Sequence, residues 1–156
     1  MTNILFICHG NICRSPMAEF IFKHLCRQAG VEDRFFIGSM AVSTEEIGND
    51  IYPPAKETLR KHGIPFEHHY ARRIDREDMD RYDLIICADR SNIRAIERMF
   101  ALSPAQHTSA LSPKISLMMH WAGEERDVSD PWYTRDFESA YRDIYAACEG
   151  LLKNYI

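Results

Sequence analysis

The chain has 156 residues, 46% of them hydrophobic and 27% charged, so it can bury one domain-sized core and lies outside the disordered range. A net charge of −4 leaves no basic excess, which excludes a general nucleic-acid binder. Five irregularly spaced cysteines make a poor disulfide framework and suit a reducing compartment.

Apolar runs bounded by turn residues alternate with segments of helical period, the pattern of an α/β chain with a parallel sheet. Ile4-Leu5-Phe6-Ile7 predicts a strand buried on both faces. Ser15-Pro16 predicts a helix start, with Ser15 as cap and Pro16 at the first helical position. Met17, Phe20, Ile21 and Leu25 give that helix its apolar face, and Gly30 ends it. Phe35 to Val42 predicts a second strand, and Pro54 to His62 a helix stopped by Gly63 and Pro65. Asp75 is expected to cap a short helix through Met79. Asp83 to Cys87 reads as the third strand and Ser91 to Phe100 as the helix after it. Ile115 to Met119 predicts a fourth strand, and Thr134 to Tyr155 a last helix with a core stripe through Phe137, Tyr141, Ile144, Cys148 and Leu151.

No apolar run approaches the roughly 20 residues of a membrane span. Met1-Thr2-Asn3 lacks the basic start of a signal peptide, and Ile4 to Ile7 is too short for its apolar part. The expectation is one cytoplasmic domain over residues 1–156, with no membrane or nucleic-acid partner.

The chemistry concentrates in Cys8-His9-Gly10-Asn11-Ile12-Cys13-Arg14-Ser15, between a buried strand and a helix N-terminus. There, successive backbone N–H groups can turn inward as an anion nest, aided by the helix dipole. Gly10 and Asn11 tolerate the left-handed backbone such a nest uses. Arg14 adds a planar fork that matches two phosphate oxygens. Cys8 stands at the base, where dipoles that attract phosphate also favour a thiolate nucleophile. Cys13 is either a redox partner for Cys8 or a small packing residue. A metal site through Cys8, His9, Cys13 and Cys26 would lack a Cys-x-x-Cys pair, so neither metal nor cofactor is expected.

A thiolate attacking phosphorus needs a protonated leaving oxygen. Asp130, in Ser129-Asp130-Pro131-Trp132-Tyr133, is the candidate acid, with two aromatics beside it to wall a cleft.

With Cys8-x5-Arg14-Ser15, Asp89-Arg90-Ser91-Asn92 and the late Asp130-Pro131, the chain resembles the low-molecular-weight protein tyrosine phosphatases over nearly its whole length. The resemblance implies a four-stranded parallel sheet flanked by helices on both faces, with the phosphate-binding loop after the first strand. It implies a monomer that hydrolyses phosphotyrosine proteins or aryl phosphates through a phosphocysteine, with Asp130 as acid and then base. Ser15 would donate to the sulfur of Cys8, and Asn11, Ser39 and His69 would hold the loop. Ile12, Glu45, Glu46, Asn49, Trp132 and Tyr133 would line the cleft. The chain departs from the family at Met40-Ala41-Val42, at Ala88, and at Glu45, where an aromatic wall is usual.

Two rivals share the fold. Arsenate reductases relay through two nearby cysteines late in the chain, where this sequence has only Cys87 and Cys148. Phosphoarginine phosphatases carry a threonine where Ile12 stands.

Overall fold

The first apolar run becomes β1, Thr2–Cys8, and it is the axis of the molecule. The computed structural model describes residues 1–101 and 114–156. Strand period two splits β1 between two cores. Ile4, Phe6 and Cys8 join a core with Phe22, Leu59 and Ile144, while Leu5 and Ile7 join one with Tyr82 and Ile96. From Ile4 to Cys8 the strand is apolar and buried, because both faces are covered there.

Helix α1, Arg14–Gln28, follows the loop. It starts at Cys13 without a side-chain cap, so Ser15 does not cap it. Ser15 lies inside the first turn with its hydroxyl committed elsewhere, and Pro16 is tolerated there because first-turn N–H groups have no intrahelical partner. Gly30 closes the helix at φ 70°, its N–H on Arg27 O and that of Val31 on Cys26 O.

Strand β2, Phe35–Ala41, pairs with β1 in parallel and stops one residue before Val42. Helix α2, Pro53–Lys61, carries two prolines in its first turn. Asp75 caps α3, Arg76–Arg81, in a reciprocal capping box with Asp78. After β3, Leu84–Cys87, Asp89 and Asn92 form a second capping box that starts α4, Arg90–Phe100.

Strand β4 covers only Ile115–Leu117. The expected continuation to Met119 turns into a 3-10 helix, Met118–Ala122, that drives Met118 and Met119 into the core. The single last helix predicted from Thr134 to Tyr155 is instead α5, Pro131–Thr134, and α6, Phe137–Lys153. Arg135 at φ 60° breaks them apart, and Asp136 caps α6 by accepting from Ser139 N.

The four strands form one sheet in the order β2-β1-β3-β4, all parallel, with helices on both faces. Strands β2 and β3 leave on opposite sides of β1, so the loop after β1 opens at the point where strand order reverses and a ligand crevice forms. Among the described residues no helix is long and apolar enough to cross a membrane. All five cysteines are free and buried.

Candidate active site

The loop between β1 and α1 wraps the Cys8 sulfur. Asn11 N–H donates to Cys8 Sγ at 3.3 Å, and Ser15 Oγ lies 3.0 Å from the same sulfur. The direction of the second contact follows from its neighbour. Asn11 Nδ2 donates to Ser15 Oγ at 2.8 Å, which leaves the serine proton for Cys8. Asn11 Nδ2 also donates to Ser39 Oγ at 3.0 Å, and Ser39 donates to Glu19 Oε1 at 2.7 Å. Asn11 Oδ1 accepts from Arg72 N at 3.2 Å, and its carbonyl accepts from His69 Nε2 at 2.7 Å. Every polar atom of this fully buried residue is thus engaged, which holds it at φ 61°. Gly10 is not left-handed as expected. It allows close approach instead, since a Cβ there would stand 3.3 Å from Glu46 Cγ.

Arg14 is 2% exposed, and its guanidinium meets three acceptors. Nη1 donates to Asp89 Oδ2 and to the Val128 carbonyl, each at 2.8 Å. Nη2 reaches Asp130 Oδ2 at 3.4 Å. Burial opposes the guanidinium charge, but Cys8, Asp130 and Asp89 outweigh it and hold Arg14 more firmly protonated. Burial likewise pushes Asp89 up, while Ser91 Oγ–H and Arg14 pull its carboxyl below the usual range. Asp130 accepts from Trp132 N through its other oxygen at 3.0 Å, so it caps α5 while facing the loop.

One cleft of about 120 Å³ gathers Cys8, His9, Gly10, Ile12, Cys13, Arg14, Glu45, Glu46, Asp130, Trp132 and Tyr133. Its floor is cationic, its mouth acidic on one side and aromatic on the other. His9 turns its ring to the rim, 2.9 Å from Glu45 Oε2. Asn49, expected in the cleft, does not line it: its Nδ2 donates to Glu46 Oε2 at 2.6 Å from behind. The side chains of Asn11 and Ser15 turn away from the cleft into the interior, fully buried. Burial, then Cys8 and Asp130, push the Cys13 thiol up.

Compared with families of known proteins, residues 3–155 match the low molecular weight phosphotyrosine protein phosphatases. The chain belongs to this family. The protein described as low molecular weight protein-tyrosine-phosphatase YfkJ of Bacillus subtilis is 36% identical over 97% of this chain and 94% of its own. Its crystal structure superposes with a TM-score of 0.89 at 35% identity, over 99% of this chain and 94% of that one. The rat low molecular weight phosphotyrosine protein phosphatase is also 36% identical, over 97% of this chain and 94% of its length. A Drosophila arginine phosphatase has the same fold, with a TM-score of 0.85 and 31% identity over 99% of this chain and 98% of that one.

Against this family background, four side chains around the cleft were not singled out by sequence reasoning. Asp89 was read only as part of a motif, yet it holds Arg14. Glu19 was visible as a polar residue on a buried helix face, one turn before Lys23, whose Nζ donates to it at 2.5 Å. Tyr52 and Arg135 left no local signal, because they meet only through the fold. Among the described residues no cluster of three or more His, Cys, Asp or Glu side chains converges as a metal site.

Proposed function

We propose that the protein hydrolyses phosphotyrosine in proteins, and simple aryl phosphates, through a phosphocysteine intermediate. The observation that supports this reading best is the convergence of Cys8, Arg14 and Asp130 on one small cleft, with two donors already aimed at the Cys8 sulfur.

The Cys8 thiolate attacks phosphorus, forming the S–P bond as the P–O bond to the aryl group breaks. The carboxylic acid of Asp130 gives its proton to the departing oxygen. In the second step a water attacks phosphorus and the Asp130 carboxylate takes its proton. The S–P bond then breaks, restoring the thiolate and releasing inorganic phosphate. Loop amides from His9 to Ser15 and the Arg14 fork hold the three non-bridging oxygens in both steps, the electrostatic contribution expected to dominate. Ser15 steadies the thiolate, and Asn11, Ser39 and His69 keep the loop in shape. Ile12, Trp132 and Tyr133 contact the substrate ring, and Glu45 and Glu46 shape the mouth.

Arsenate reduction has less support, since its thiol relay would need accessible cysteines. Cys87 and Cys148 are fully buried in β3 and α6, and burial pushes both thiols up. The five free thiols suit the reducing cytoplasm, and a cleft complete within one chain suits a monomer.

Hydrolysis of phosphotyrosine, phosphoserine and phosphoarginine peptides, measured side by side, tests the substrate. We expect phosphotyrosine to lead by about 25-fold or more in kcat/KM, roughly 2 kcal/mol of differential transition-state binding. A lead for phosphoarginine, the substrate class suggested by the Drosophila neighbour, would overturn the assignment.

A further inference from the structure

Arg135 adopts the left-handed backbone at φ 60°, ψ 14°, where glycine would sit without strain. Its side chain gives a reason for the arginine. Nη2 donates to Tyr52 Oη at 3.1 Å and Nη1 to the Trp132 carbonyl at 3.4 Å. The guanidinium carbon also lies over the Tyr52 ring, 5.3 Å from its centroid, and 5.5 Å from that of Phe137. Tyr52 in turn is fastened to the phosphate loop, its N–H donating to the Ile12 carbonyl at 2.9 Å. Its ring packs on Trp132 with centroids 4.7 Å apart.

A continuous path results. It runs from the loop through Tyr52 and Arg135 to Trp132, whose own N–H is bound to Asp130 Oδ1 at 3.0 Å. Trp132 is thereby gripped at its carbonyl by Arg135, at its ring by Tyr52 and at its N–H by the candidate acid. We propose that Arg135 and Tyr52 form a latch that sets the position of Asp130 above the phosphate loop. Both are positioning residues, acting on the reaction through Trp132 and Asp130. The inference rests on the reading of Asp130 as general acid.

The consequence is selective. Loosening the latch displaces the acid and leaves Cys8, Arg14 and the loop amides where they are. Only substrates whose leaving oxygen needs the proton should then suffer.

Tyr52→Phe, Arg135→Gly and Arg135→Lys would be assayed with phenyl phosphate and p-nitrophenyl phosphate. Vanadate affinity and thermal melting would be measured alongside, with Asp130→Asn as reference. For Arg135→Gly we expect kcat on phenyl phosphate to fall about tenfold, the scale on which a misplaced catalytic group acts. On the nitrophenyl ester the fall should stay under about twofold, because its leaving group departs without help. Vanadate affinity should not change, and the melting temperature should not drop, because glycine relieves the backbone. Tyr52→Phe should show the same split to a smaller degree, and Arg135→Lys should recover part of it. Equal losses on both esters, no loss, or losses that follow melting temperature would overturn the latch. If Asp130→Asn itself shows no split, the acid assignment fails and the latch with it. If Asp130→Asn splits the two esters and the latch variants do not, the latch alone fails.

Discussion

The two halves of the cleft are built in opposite ways. From Asn11 to Ser15 the loop is buried throughout, and its asparagine spends every polar atom on neighbours drawn from β1, α1, β2 and the segment around His69 to Arg72. From Trp132 to Asp136 the opposite wall is exposed, Tyr133 by 80%, and hydrogen bonds and ring contacts at the rim hold it. The contrast suits the two tasks proposed for these walls. A nucleophile and its anion nest work best preorganised, so that no reorganisation opposes the transition state. An acid must let the substrate in and the product out, which an exposed segment on a few contacts permits.

Replacing Cys8 by serine should break the comparison most sharply. Turnover should vanish while vanadate still binds, because the amides and Arg14 remain; retained turnover would remove Cys8 as the nucleophile. Asp130→Asn should come next. A fall of about 10²–10³ on a tyrosine phosphate is expected, and much less on a nitrophenyl ester. Rates across a series of aryl phosphates would test it, and an unchanged slope against leaving-group pKa would acquit Asp130.

Asn11→Ala probes the rigid side. Ser15, Ser39 and Arg72 would each lose a partner in the interior, and alanine would inherit the left-handed backbone. About 3 kcal/mol of stability should go. The rate should drop uniformly across leaving groups, in contrast to the split expected on the exposed side, and chemical denaturation alongside kinetics would read both.

At the rim the effects shrink. Glu45 faces the cleft but is exposed and paired with His9. Glu45→Trp should lower KM for aryl phosphates severalfold, on the scale of about 0.5–1.5 kcal/mol for a ring contact, with little change in kcat. It should also soften any discrimination against acidic peptides, an effect that added salt would imitate.

The smallest expected effect is one of pH. Burial pushes Asp50 up, but the Lys56 ammonium and the N–H groups of His69 and Ile51 prevail and bring its carboxyl down to about 2. A depressed carboxylate contributes stability fully above the ordinary Asp range of about 4, and that contribution is lost as pH falls toward 2. Asp50→Asn should therefore lower melting temperature slightly at pH 7 and flatten its decline in acid. An acid limb as steep as the parent's would show that Asp50 contributes little to holding His69 behind the loop.

Much of the architecture was legible in short stretches of sequence. The apolar run of β1, the turn at Gly30 and the cap at Asp75 are local properties, set by burial on two faces, a left-handed closure and one carboxylate over a helix start. The Cys8 to Ser15 cluster was legible for the same reason, because the loop and the sulfur it wraps lie within eight consecutive residues. Tertiary structure decided what depends on distant chain meeting in space. Ser15 has the residue type of a helix cap, yet burial beside Cys8 and Asn11 gives its hydroxyl a different use. Asp89 is 75 residues from Arg14, and Tyr52 is 83 from Arg135, so no periodicity links either pair. Helical spacing also ran unbroken through Arg135, because Phe137 to Leu152 keep their stripe whether or not the helix begins at Thr134. The break at Arg135 goes with its contacts to the Trp132 carbonyl and to Tyr52, which the fold brings together and the local pattern does not carry.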